Sequence, residues 1–201
     1  MSLNVIASPL QNVRDAFDLM PQDTDDQWRT VAIRMAKVPT AMAQYAESLT
    51  LARSRGDVAP RRQVDACSTQ ARDLTADDGY FVTLVAEAKA GDKALDPEVA
   101  SDLAAAAEAA RAAYVQIADF LETELAPVAP AADACGRERY ALHSRDFVGA
   151  VVDLEETYRW GQEELARITA QMQEVAEQIK PGATIEEAIE VLSADPAYLL
   201  E

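Results

Sequence analysis

The apolar residues of this chain recur at helical spacing from one end to the other. Leu10, Val13, Phe17 and Met20 stand 3, 4 and 3 residues apart. They follow Ser8-Pro9, where serine caps a helix and proline takes the first helical position. Thr24 with Gln27 forms a capping-box pair ahead of Trp28, Val31, Met35 and Val38. Pro39 opens a third segment with Met42, Tyr45, Leu49 and Ala52 on one face, closed near Gly56. A fourth segment starts near Pro60 and carries Val64, Cys67, Ala71 and Leu74, and a fifth runs from near Asp78 to Gly91.

Two long helices follow, predicted over about 97–125 and 154–180. The first starts at Asp96-Pro97 and bears Val99, Leu103, Ala106, Ala110, Tyr114, Ile117 and Leu121. Its alanine block, Ala104 to Ala113, leaves room for a neighbouring helix to come close. Two prolines in Ala126–Cys135 then interrupt the pattern. Near 126–135 is therefore the one place where an otherwise single helical domain, 1–201, would divide. Asp153 with Glu156 caps the second long helix. Its stripe of Leu154, Tyr158, Gly161, Leu165, Ile168, Met172, Val175 and Ile179 alternates by 4 and 3. Such a heptad stripe asks for a long antiparallel partner, either the other long helix or the same helix of a second copy in a homo-oligomer. Pro181-Gly182 stops it, and a Thr184/Glu187 capping box opens a last helix with Ile185, Ile189 and Leu192. No segment alternates as a strand would. The expected fold is an all-α, antiparallel multi-helix bundle.

Composition agrees with helix, since alanine supplies 40 of 201 residues and glycine only 7. The 35 acidic against 18 basic residues give a net charge of −17. That charge excludes nucleic acid as a partner and disfavours an anionic membrane surface. No apolar run reaches the roughly 20 residues needed to span a bilayer, and Met1-Ser2-Leu3 does not open a signal peptide. A cytoplasmic protein is the expectation. Cys67 and Cys135 make no framework and no C-x-x-C pair, so both read as reduced thiols.

Most chemistry-bearing patterns resolve into ordinary helix surface. His143 is the only histidine, so no H-E-x-x-H pair can be drawn and no zinc site is expected within this chain. The doublets Glu155-Glu156, Glu163-Glu164 and Glu186-Glu187 fall on polar faces or in first turns, where solvation and the helix dipole explain them. Arg55-Gly56-Asp57 spells an integrin tripeptide, but Gly56 already serves as a helix terminator. Arg53, Arg55, Arg61 and Arg62 read as a solvated turn suited to the preceding helix C-terminus. The segment Gly136–Phe147 is more informative. If helical, it puts Tyr140, His143 and Phe147 on one face and Arg137, Arg139 and Arg145 on others. Those arginines with Tyr140 could hold an anion or a carboxylate. The plainer alternative packs His143 against the core and pairs the arginines with nearby acids. Trp160 lies off the heptad stripe, among Glu156, Glu163 and Glu164, and predicts a second contact surface.

Asn4–Pro21 (NVIASPLQNVRDAFDLMP) and Gly136–Leu165 (GRERYALHSRDFVGAVVDLEETYRWGQEEL) resemble the bacterial "domain of unknown function 885" family. The family is a group inferred to be zinc metallopeptidases, and the resemblance extends along nearly the whole chain. Its metal site belongs to a later region, an H-E-G-x-P-G-H-H type motif on a helix with a further acidic ligand downstream. Neither stands in this sequence. The resemblance therefore implies the N-terminal helical portion of a longer enzyme, with Met1-Ser2-Leu3 as a leader from a vector. That portion would be noncatalytic by itself, a wall or lid beside an active site carried elsewhere in the parent. There, two motif histidines and the carboxylate would hold zinc, and the motif glutamate would activate water.

No catalytic residue, metal ligand or cofactor is carried over to this chain; zinc is implied for the parent alone. The partners implied are the remaining C-terminal part of the parent and a peptide substrate. Tyr140, His143, Arg145, Tyr158 and Trp160 are the candidates for facing either one, on the reading of the residues alone. The rival expectation is a freestanding helical module that binds a protein partner or a small anion, the latter through Arg137, Arg139 and Tyr140.

Overall fold

The computed structural model describes residues 3–198 and is all-α apart from one two-residue hairpin. It divides into two compact units, Met1–Ala134 and Cys135–Glu201. Of the predicted leader, Met1 and Ser2 lie outside the described residues, as does the end at Leu200-Glu201, whereas Leu3 is buried in the first unit.

The first unit contains α1 (Pro9–Asp15), α2 (Asp25–Met35), α3 (Val38–Ser54), α4 (Arg61–Asp73), α5 (Tyr80–Glu87) and α6 (Pro97–Phe120). The central helix is α6, against which α2, α3, α4 and α5 all pack. Its buried face is Val99, Leu103, Ala106, Ala110, Ala113, Tyr114 and Ile117, so the alanine block does sit where neighbours close in. Tyr114 is fully enclosed, yet its hydroxyl donates to the Leu10 carbonyl at 2.7 Å, tying α1 to the core without an orphaned polar atom.

Departures from the sequence pattern are local. The Leu10-to-Met20 stripe predicts one helix, but α1 ends at Asp15 and residues 16–20 continue as turns. Phe17 remains buried because a turn can deliver a large side chain to the core as well as a helix does. The fifth segment shortens to α5, and β1 (Lys89–Ala90) pairs antiparallel with β2 (Lys93–Ala94) through a turn at Gly91, whose φ is +60°. Two-residue strands are too short to show alternation. The Trp28 indole N–H donates to the Lys89 carbonyl at 2.8 Å and fastens the hairpin to α2. Gly79 is required by crowding: a Cβ there would meet the Asp73, Leu74 and Ala76 carbonyl oxygens at 2.7, 2.8 and 2.9 Å.

Past α6 the chain widens into a π-helical stretch at Leu121–Leu125 and tightens to a 3-10 turn at Ala126–Val128. Pro127 has no N–H to donate into the preceding turn and its ring clashes with the carbonyl four residues back. The basic residues predicted to be a solvated turn hold this exit in place. Arg53 pairs with Glu124 at 2.7 Å, Arg61 donates to the Ala126 carbonyl at 3.2 Å, and Arg62 pairs with Asp133. Arg61 and Arg62 open α4 rather than close α3, an unfavourable end for cations that Asp65 and Asp133 offset.

The second unit consists of α7 (Arg137–Val148), α8 (Leu154–Ile179) and α9 (Ile185–Ala194). α8 packs with α9. The Asp153 carboxylate accepts the Glu155 and Glu156 N–H groups at 2.9 and 3.0 Å, and the Thr184/Glu187 box is reciprocal at 2.9 and 3.2 Å. What this unit lacks is a core of large side chains. Among its described residues only Ala176, Ala183 and Ala188 are buried, and α7 buries none. Among the described residues of its own unit, α8 packs with α9, which at 10 residues is shorter than the 26-residue stripe-bearing helix it faces.

Candidate functional site

The candidate residues sit on α7 and the first half of α8. Gly136 at φ +84° and Gly149 at φ +75° bound α7, left-handed positions that L side chains rarely adopt. The Arg137 guanidinium donates to Glu155 at 2.6 Å, joining the start of α7 to the first turn of α8. That hydrogen bond raises the arginine pKa further, while the two backbone N–H groups on Asp153 hold its carboxyl below the usual range.

Tyr140, His143, Arg145, Tyr158 and Trp160 are all exposed, Trp160 by 62%. No hydrogen bond or ion pair joins any two of them among the described residues. His143 therefore does not pack against a core, because α7 has none to offer. Arg137 answers to the plainer expectation of pairing with a neighbouring acid. Phe147 and Val151, outside the candidate set, stand still further out at 94% and 83% exposure. The second unit thus presents exposed aromatic and apolar side chains on and beside α7 and along the first half of α8.

The acidic doublets are structural where they touch anything. Glu155 holds Arg137, Glu164 holds Arg167 at 2.8 Å, and Glu187 completes a cap. Gly56, at φ +75°, ends α3 as its terminator reading requires. No group of three or more His, Cys, Asp or Glu side chains among the described residues is placed to hold a metal ion. No described helix is long and apolar enough to cross a membrane. Burial pushes the Cys67 thiol up to about 11, whereas Cys135 is exposed.

Sequence reasoning did not isolate a groove of about 330 Å³ between α8 and α9. Met172, Val175 and Ile179 line one side and Ile185, Ile189 and Leu192 the other. Both stripes are readable in the sequence; that they form two walls of one open trough depends on the turn that joins them.

No curated protein matches the chain. The family described as "Bacterial protein of unknown function (DUF885)" matches residues 1–201, across both units. The chain belongs to that family.

Proposed function

We propose that this chain is the noncatalytic helical part of a zinc-dependent metallopeptidase, a wall or lid beside an active site carried elsewhere in the parent polypeptide. The observation that carries this reading is the second unit's lack of a core. Tyr158, Leu165, Ile168, Met172 and Val175 line one face of α8 and are all exposed, while among the described residues of the second unit only alanines are buried. Helices this amphipathic gain most of their stability from tertiary packing, and small units without a core are marginal. The uncovered faces support a unit that is completed by further polypeptide.

On this reading zinc and the water-activating glutamate belong to the remaining part of the parent, a hydrolase of the cytoplasm. Tyr140, His143, Arg145, Tyr158 and Trp160 then contact that part or a peptide held against it. Exposed aromatics with an arginine suit this task, because they supply contact area and a carboxylate partner without acting on a bond. The exposure of Tyr158 and Trp160 also favours a second reading, a freestanding helical interaction module.

The experiment is to purify the parent from its natural reading frame and measure zinc and peptide hydrolysis. One zinc per parent, with turnover that Trp160→Ala lowers about tenfold while zinc content holds, is the expected result. A reading frame that stops at Glu201, or a parent that binds no zinc, would leave the interaction module in its place.

A further inference from the structure

The α8/α9 groove has a defined floor, defined walls and a charge pattern on its rims. Ala176 and Ala188, both buried, bring the helices together. Because the meeting point is made of alanines, the larger neighbours stand up as walls rather than filling the space between. Met172, Val175 and Ile189 remain 47%, 52% and 55% exposed. The joining turn is fixed from both sides. The Gln173 amide donates to the Ala183 carbonyl at 2.8 Å, and the Gly182 N–H donates to Glu177 at 2.7 Å. The trough is therefore preformed.

Its α9 rim is acidic. Successive helical residues turn by about 100°. Glu186 and Glu190, one residue beyond Ile185 and Ile189, therefore lie on the side of α9 away from Ala188. On α8 the groove is edged by Gln171, which is polar and uncharged. No lysine or arginine occurs from 181 to 201. A second copy is a poor occupant. Its α8 would bring Glu155, Glu156, Glu163 and Glu164 toward the α9 rim, and each chain already carries −17.

We propose that the α8/α9 groove receives an amphipathic helix whose apolar stripe is flanked by lysine or arginine. The proposal rests on the reading of this chain as part of a larger protein and names the chemistry of the element that completes it. Apolar side chains on the incoming helix enter between the Met172–Val175 and Ile189 walls, and its basic flank meets Glu186 and Glu190 on the α9 rim. Helix-in-groove docking of this kind takes affinity from the apolar stripe and selectivity from the rims.

The test titrates the whole chain calorimetrically with two synthetic helical peptides that share one leucine–alanine stripe, one flanked by lysine and the other by glutamate. The lysine peptide is expected to bind one per chain, at least about tenfold more tightly than the glutamate peptide. The double substitution Met172→Glu with Ile189→Glu should weaken it by about tenfold or more, although it makes the chain more acidic, because charge in the trough is desolvated on docking. Glu186→Gln with Glu190→Gln should weaken it by about threefold, in keeping with two exposed ion pairs.

Equal binding of the two peptides would overturn the proposal. So would unchanged binding after Met172→Glu with Ile189→Glu, the mark of diffuse attraction to an acidic chain. Self-association in sedimentation that this double substitution abolishes would assign the groove to a second copy. Circular dichroism checks that helix content survives, and Met172→Gln with Ile189→Gln replaces the pair where it does not. No step of this test uses zinc or turnover, so its failure is distinct from failure of the metallopeptidase reading.

Discussion

Gly79 shows how a single position can be fixed by its neighbours' backbone. Three carbonyl oxygens stand within 3 Å of where its Cβ would be, and carbonyls cannot swing aside as a long side chain can. Gly79→Ala should destabilise the first unit by about 1–3 kcal/mol, the usual cost of overpacking, measured by urea unfolding. An unchanged midpoint would mean that the turn before α5 yields easily. Both cysteines are free thiols, but they differ in exposure. Cys67 is fully buried with its pKa pushed up to about 11, and Cys135 is exposed. At pH 8 a maleimide should label Cys135 within minutes and reach Cys67 only after unfolding, as intact mass would show. Equal labelling of both would contradict the packing of α4 on α6.

At the scale of elements, caps and punctuation were readable and lengths were less so. Thr24/Gln27, Asp96-Pro97, Asp153 and Thr184/Glu187 start helices where the sequence places starts, because each cap is a short-range hydrogen bond written within four residues. The end of α1 at Asp15 was not readable, since Phe17 and Met20 keep helical spacing while serving the core from turns. Nor was the β1–β2 hairpin, whose anchor is the long-range Trp28–Lys89 hydrogen bond. In α8, Gly161 interrupts an otherwise bulky stripe and nothing lies within 4 Å of where its Cβ would be. Gly161→Ala should therefore stabilise α8 by about 0.5–1 kcal/mol, the helix-propensity difference alone, read as helicity and unfolding midpoint of the second unit. A loss of stability would show that this face is occupied in solution.

At the scale of the whole molecule the two units solve the burial problem differently. The first gathers Leu10, Trp28, Met35, Leu103 and Tyr114 around α6. The second leaves comparable side chains exposed along α8 and α9. The heptad stripe of α8 was legible as an apolar face, and what covers it was not, because a stripe is written in one helix and its cover is not. For the same reason Tyr140, His143, Arg145, Tyr158 and Trp160 were identifiable as unusual surface residues while their contacts were not. The proposal that further polypeptide of a parent protein completes the second unit is decided by amide hydrogen exchange, followed on the chain alone and within that parent. Amides over 154–192 should exchange at least about tenfold more slowly in the parent, while those along the buried face of α6 keep their rates. Equal protection of α8 and α9 in the two proteins would contradict it.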